Sequence, residues 1–278
     1  MESYLTLLRA LQRQLEVHGK PPAEARWMLE RASGLEASEL IRNLQQPVPG
    51  GVAEVVWGML ERRLQGVPLQ LLLGETEFFG LRLEVAPGVF IPRPETEGLV
   101  ELALGYLPER AASRVLDVGT GSGAIALALK ARRPEAFVWA TDLNPKALAL
   151  ARRNARRLGL EVALLEAPFT GGLNNLDLLV SNPPYLPEAY REEAPAELTY
   201  EDGAALYAGP DGLGVARPLL REAEVALRRG GWLLLELAPE NVGVLAEEAA
   251  ARGWRAVRVE RDLAGRPRYL VARWGDGP

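Results

Sequence analysis

The chain has 278 residues, a net charge of −5, 48% hydrophobic and 25% charged residues, one histidine and no cysteine. That length suffices for a full core and more than one domain, and the balance is that of a soluble globular protein. Without cysteine there are no disulfides, thiolate zinc sites or thiol nucleophiles; one histidine leaves little room for a His-based triad, and the acidic balance argues against a protein built to grip nucleic acid.

No apolar run approaches the ~18–20 residues that span a bilayer. The opening "MESYLTLLRALQRQLEVHG" carries acid and base through its apolar positions, unlike a signal peptide. A cytoplasmic protein is expected, with no membrane partner. Tyr4, Leu8, Leu11 and Leu15 lie at helical spacing on one face, and Gly19 stops that helix after His18. "PPAEARWMLERASG" (21–34) starts with proline and ends with glycine, as a helix does. "SELIRNLQQ" (38–46), with Ser38 as N-cap, and "AEVVWGMLERRLQG" (53–66) add two more helices. Over residues 1–66 eight basic residues balance eight acidic ones. A neutral helical unit suits docking of a protein better than DNA binding. This helical domain is expected to span 1–69.

Over 70–91 the period changes. Phe79, Leu81, Leu83 and Val85 alternate with Gly80, Arg82 and Glu84, which predicts a β-hairpin linker. From 92 to 278 strands and helices alternate. Strands are expected at 114–119, 136–142, 161–167, 176–182 and 232–238, with helices at 123–133, 144–159, 216–230 and 240–253. The strands 254–262 and 267–274 are too close for a helical crossover and should pair antiparallel. The fold class is therefore α/β, a doubly wound, mostly parallel sheet of seven strands with both faces covered.

Two turns carry chemistry. "VLDVGTGSG" (115–123) puts Gly119, Gly121 and Gly123 between the first core strand and its helix, where backbone can approach a ligand at a helix N-terminus. Asp142 ends the next strand, placed to accept hydrogen bonds from ribose hydroxyls. Gly119, Gly121 and Ala124 also satisfy a looser dinucleotide pattern, so the glycines alone do not choose between a nicotinamide cofactor and S-adenosylmethionine. Asp117 favours the latter, because a carboxylate repels a pyrophosphate and attracts a sulfonium and an ammonium. "SNPPY" (181–185) then ends a core strand stiffly. Asn182 offers a side-chain oxygen and Pro183 a carbonyl, two acceptors at a fixed separation that match an –NH2 group. Tyr185 supplies a flat face for a planar amide or base.

"SNPPY", "DVGTGSGAIALAL" (117–129) and above all "IPRPETE" (91–97) resemble the HemK-type glutamine N5-methyltransferases (the PrmC family), which modify peptide chain release factors. "GVPLQLLLGETEFFGL" (66–81) and "EDGAALYAGPDGL" (201–213) resemble that family's other segments. The resemblance implies a methyltransferase catalytic domain over 92–278. It implies S-adenosylmethionine as donor, S-adenosylhomocysteine as product, and the glutamine of a release factor's Gly-Gly-Gln loop as acceptor. Gly119, Thr120, Gly121, Ser122 and Gly123 would hold the methionine moiety beside Asp117. Asp142 would hold the ribose next to Leu143, with Pro168 and Phe169 near the adenine. Phe90, Arg93 and Thr96 would line the same cavity, and Asn182, Pro183, Pro184 and Tyr185 would grip the target amide. A monomer is expected. Relatives carry an aspartate where Ala167 stands, so adenine recognition must lean on backbone near Pro168 and Phe169 or on Glu166. "LELAPEN" (235–241) departs as well. Transfer to an amino group of a nucleic-acid base, a nicotinamide-dependent oxidoreductase and a non-catalytic docking protein are the competing readings.

Overall fold

The computed structural model describes residues 2–276. The chain divides between Glu75 and Thr76 into two compact units. The first is helical: α1 (Tyr4–Val17), α2 (Glu24–Ser33), α3 (Ala37–Arg42), α4 (Gly50–Leu64) and α5 (Leu69–Leu73). Ser3 caps α1 by accepting from the Thr6 amide, and the buried stripe is Tyr4, Leu7, Leu11 and Leu15. Leu7 thus takes the place expected of Leu8, one step round the helix. His18 is the C-cap of α1, with Nδ1 bonded 2.8 Å from the Gln14 carbonyl. Ser38 is not a cap. Glu36 and Glu39 form the capping box of α3, so the helix begins two residues earlier than Ser38 as a cap would allow. Inside this unit Arg63 of α4 and Glu24 of α2 form a buried two-point ion pair at 2.6 and 3.0 Å.

A hairpin of β1 (Glu75–Phe78) and β2 (Leu81–Glu84) leads into the second unit. Its turn is Phe79–Gly80, both at positive φ, the geometry of a tight two-residue connection. Phe79 is therefore a turn residue rather than part of the alternating strand; Phe78 and Leu83 are the buried ones. Helix α6 (Glu95–Leu104) follows. Then come β3 (Arg114–Val118), α7 (Ala124–Arg132), β4 (Phe137–Asp142), α8 (Pro145–Leu158), β5 (Ala163–Glu166) and β6 (Leu176–Ser181). Three short 3-10 turns between 188 and 205 precede α9 (Ala216–Ala226), β7 (Leu227–Glu236), α10 (Pro239–Ala251), β8 (Arg255–Arg261) and β9 (Pro267–Arg273).

The sheet order is β5-β4-β3-β6-β7-β9-β8. The first five strands run parallel, and β9 lies antiparallel between β7 and β8. Side chains alternate between two cores. Val115, Leu178, Val180 and Leu234 pack beneath α6 and α7, while Leu116, Leu179, Leu233 and Leu235 pack beneath α9 and α10. Helix α9 stops at Ala226, four residues short of the expected end. Leu227 is extended and Gly230 turns at positive φ to bond the Trp274 carbonyl, so the strand begins early with a register shift. β3 has β4 on one side and β6 on the other. The connections leave it in opposite directions, which opens a crevice at the carboxyl ends of β3 and β6.

Candidate active site

The turn after β3 is held by its own neighbourhood. Gly119 and Thr120 donate their amides to the Thr141 carbonyl at 2.8 and 3.0 Å, and Gly121 donates to Asp142 Oδ2 at 2.8 Å. Asp142 Oδ1 accepts from the Asn144 amide, which starts α8. Burial pushes the Asp142 carboxyl above its usual range, against these backbone bonds. Asp117 sits wholly buried below the turn. Its Oδ2 accepts from Thr120 Oγ1 (2.6 Å) and from the Ala126 amide in the first turn of α7, while Oδ1 has no partner among the described residues. Burial drives its pKa up to about 7. Asn154, buried on α8, clamps the hairpin to this turn: it bonds both backbone groups of Glu84 and the Ser122 carbonyl.

A cavity of about 230 Å³ opens above the turn. Gly119, Gly121, Asp142 and Leu143 line it on one side, Phe90, Pro168 and Phe169 on another, and Asn182 and Pro184 at one end. A methyl added at Gly119 would meet nothing within 4 Å, so the glycine faces open space. Leu143 is 67% exposed, an apolar side chain awaiting cover. Two carboxylates, Asp142 and Asp202, line this cavity, and no lysine or arginine does. Such a lining suits a ligand that carries positive charge and disfavours a pyrophosphate. Asp117, Thr120, Ser122 and Gly123 are not among the lining residues; they shape the turn from below. Glu166 is exposed on β5 and does not line the cavity, whereas Ala167 does. Phe169 stands at φ 44, and its carbonyl accepts from Thr141 Oγ1 at 2.6 Å.

The turn after β6 builds a second cavity of about 170 Å³. Arg93, Pro183, Tyr185, Leu186 and Tyr190 line it alone, and Phe90, Asn182, Pro184 and Ala205 are shared with the first. The two spaces therefore adjoin at Asn182. Ser181 Oγ donates to the Val118 carbonyl (2.6 Å), tying the ends of β6 and β3 together. Asn182 Nδ2 donates to Thr96 Oγ1 at 3.2 Å, which leaves Oδ1 as the side chain's acceptor. Thr96 lines neither cavity and acts on them through Asn182. Asn241 Nδ2 holds the Tyr185 carbonyl at 3.3 Å. Burial pushes the Tyr185 phenol up to about 12, so it stays protonated at neutral pH. Arg93 stacks 4.9 Å over the Phe90 ring and pairs with buried Glu201, whose other oxygen accepts from the Ile91 amide.

Two groups here escaped the sequence reading. Asp202 reaches the first cavity from the loop beyond "SNPPY", held by Asn144 Nδ2 at 2.8 Å. Its only signal was its place in "EDGAALYAGPDGL". Glu236, at the end of β7, lies wholly buried beside Thr96, and nothing local marks it.

Comparison with known proteins gives the family. The family model "Methyltransferase small domain" matches residues 81–204, and "PrmC N-terminal domain" matches residues 6–74. The chain is 49% identical to the release factor glutamine methyltransferase of Deinococcus radiodurans, over 92% of each chain. The chain belongs to the release factor glutamine methyltransferases. The member from Moorella thermoacetica is 41% identical, over 96% of this chain and 98% of its own. The chain also shares its fold with a solved methyltransferase from Pyrococcus furiosus. That match has a TM-score of 0.53 and 24% identity, and covers 71% of this chain and 90% of the other.

Proposed function

We propose that this protein transfers a methyl group from S-adenosylmethionine to the side-chain amide nitrogen (N5) of the glutamine in the Gly-Gly-Gln motif of peptide chain release factors. The observation that carries the reading is the meeting of two cavities at Asn182, one lined by carboxylates without a cation and one by the proline turn. The donor supplies an electrophilic methyl on a positively charged sulfur. Gly119 and Gly121 give its methionine end close backbone approach. Asp142 would bond the ribose, Leu143 and Phe169 would cover the adenine, and the Asp142 and Asp202 carboxylates would favour its positive charge.

An amide nitrogen is a poor nucleophile because its lone pair is delocalised into the carbonyl. Asn182 Oδ1 and the Pro183 carbonyl accept the two protons of the acceptor –NH2. These bonds favour charge build-up on nitrogen and aim it at the first cavity. As the N–CH3 bond forms the methyl's bond to sulfur breaks, the electron pair stays with the thioether product, and the nitrogen gives up one proton to solvent. Tyr185 packs its ring on the planar amide as a neutral phenol. Catalysis is positioning plus electrostatics. The single histidine caps α1 and has no part in it. The helical unit docks the release factor; its balanced charge and its exposed Trp27, Ile41 and Trp57 suit a protein partner. The enzyme works as a monomer in the cytoplasm, on protein rather than nucleic acid.

Mass spectrometry of a release factor incubated with this protein and donor tests the reading, with DNA and ribosomal RNA as parallel acceptors. A gain of one methyl on the glutamine is expected, and none on nucleic acid. Asn182→Ala should cost ~10²-fold in rate, about 3 kcal/mol of transition-state stabilisation. Near-full methylation by that variant at saturating donor would overturn the mechanism.

A further inference from the structure

Glu236 is the least explained charged group in the catalytic unit. It ends β7, next to β6, and is wholly buried. Among the described residues neither carboxylate oxygen accepts a hydrogen bond of ordinary geometry, although the Thr96 hydroxyl stands against it. The nearest cation, Arg268 of β9, stands 4.0 Å away and is already engaged by Asp262 at 2.9 Å. An under-partnered carboxylate of this kind is costly to bury, and an apolar residue would be expected in its place unless the charge acts.

The groups facing it define what it can act on. From α6 come Glu95 and Thr96, from the "SNPPY" turn Tyr185, from β9 Arg268 and Tyr269, and from the β8–β9 connection Asp262. Tyr185 and Tyr269 are both phenols pushed up to about 12, burial being the main cause, and neither ionises near neutrality. The Tyr269 hydroxyl is committed to the Glu95 carbonyl at 2.6 Å. Thr96 is the free agent. Its oxygen receives Asn182 Nδ2, so its own proton needs another acceptor, and Glu236 is the acidic group beside it.

A hydroxyl between a primary amide and a carboxylate has two arrangements. If the carboxylate is ionised, the hydroxyl proton points to it. The hydroxyl oxygen then accepts from the amide –NH2, and the amide oxygen faces away. If the carboxyl is protonated, it donates to the hydroxyl. The hydroxyl proton then points to the amide, which turns its oxygen inward and its –NH2 outward. Only the first arrangement presents Asn182 Oδ1 to an acceptor amide; the second sets two –NH2 groups against each other.

We infer that Glu236 is a positioning residue for methyl transfer: its carboxylate takes the Thr96 hydroxyl proton, and Thr96 thereby holds Asn182 with Oδ1 turned toward the acceptor amide. This rests on the proposed role of Asn182 and extends it two residues inward. Burial raises the Glu236 carboxyl to about 7, opposed by Thr96 and Arg268 and reinforced by Glu95 and Asp262. The productive arrangement therefore fades as pH falls through that value.

The test uses the full chain and a release factor. In wild type, kcat should fall on the acid side of about pH 7, by up to ~10-fold per unit below it. Glu236→Gln should work at a reduced rate with that acid limb lost or shallower. Thr96→Val should lower kcat by ~10-fold or more, and Thr96→Ser should restore most of it, since serine keeps the hydroxyl. Calorimetric binding of S-adenosylhomocysteine should change little in all three, because the relay lies on the acceptor side. A carbon NMR titration of the Glu236 carboxyl in the uncomplexed protein should follow the acid limb. This reads the same group without a folding-sensitive variant. Wild-type kcat in Thr96→Val, an acid limb that Glu236→Gln leaves unchanged in midpoint and steepness (Asp117 is also raised to about 7 and can keep a shallower one), or a Glu236 carboxyl that titrates well away from the limb would each overturn the relay. Full activity in Asn182→Ala would instead overturn the proposed function, so the two failures are distinguishable.

Discussion

The two turns that flank the crevice solve the same problem in opposite ways. The glycine turn after β3 is flexible by composition and is fixed by its own strand and the βα unit that follows it: Thr120 on Asp117, Gly121 on Asp142 and the Ser122 carbonyl on Asn154. The proline turn after β6 is stiff by composition, yet its polar groups are set by distant residues, Thr96 before it and Asn241 after it. A surface made of backbone can be specified by the strand it leaves and the unit that follows. A catalytic surface that needs one oxygen of one amide aimed correctly requires partners from other elements.

Four measurements bear on that contrast, taken from the largest expected effect. Gly212→Ala should strike the proline turn hardest. A methyl there would fall 2.2 Å from the Tyr185 carbonyl oxygen and 2.7 Å from Asn241 Nδ2, at φ +74. A loss of about 3–4 kcal/mol is expected in denaturant unfolding of the catalytic unit, with loss of methylation. An unchanged midpoint would mean that the turn is softer than its prolines suggest.

Next is the cost of the buried Glu236 carboxyl. Its folded pKa, about 7, lies above the ordinary 4.5, so the folded state holds the proton more tightly than the unfolded chain. That contribution is fully present below pH 4.5 and is lost as pH rises through about 7. It amounts to on the order of 3 kcal/mol. Glu236→Gln should flatten the fall in stability between those values, and at pH 8 it should be more stable than wild type. The same substitution slows catalysis in the relay argued above, so stability and rate should move oppositely.

Within the glycine turn two neighbours should behave differently. At Gly119 a methyl meets nothing within 4 Å, whereas at Gly123 it meets Leu127 Cδ1 at 3.0 Å and Ala151 Cβ at 3.2 Å. Gly119→Ala should weaken S-adenosylhomocysteine binding by ~10-fold at a stability cost of about 1 kcal/mol. Gly123→Ala should do the reverse, costing about 2 kcal/mol of stability through overpacking. Calorimetry and thermal unfolding on both variants separate the two. The smallest effect is expected of Asn241→Ala. Its 3.3 Å bond to the Tyr185 carbonyl is worth about 0.5–1 kcal/mol, read as a rise of a few-fold in KM for the release factor.

Much of this arrangement was legible beforehand, and the misses have physical causes. Buried parallel strands such as "LDLLV" (176–180) announce themselves as apolar runs, so the sheet was readable. Leu8 and Leu7 differ by one step of a helix, and only packing decides which faces inward. Ser38 is a good cap by type, but Glu36 and Glu39 satisfied the free amides first. Phe79 fitted an alternating pattern until the tight turn claimed it at positive φ. Glycines and prolines around the crevice were found because backbone demands select residue type directly.

The amino-acid sequence alone determined the fold class, the two chemical turns and, through "IPRPETE" with "SNPPY", the family resemblance. These depend on local periodicity and on residue types that few other positions tolerate. Packing in the folded chain is what puts Asp117 beneath the glycine turn, brings Asp202 to the first cavity and sets Glu236 against Thr96. A carboxylate's role depends on what surrounds it, because desolvation and neighbouring charge set its protonation, and those neighbours come from segments distant along the chain.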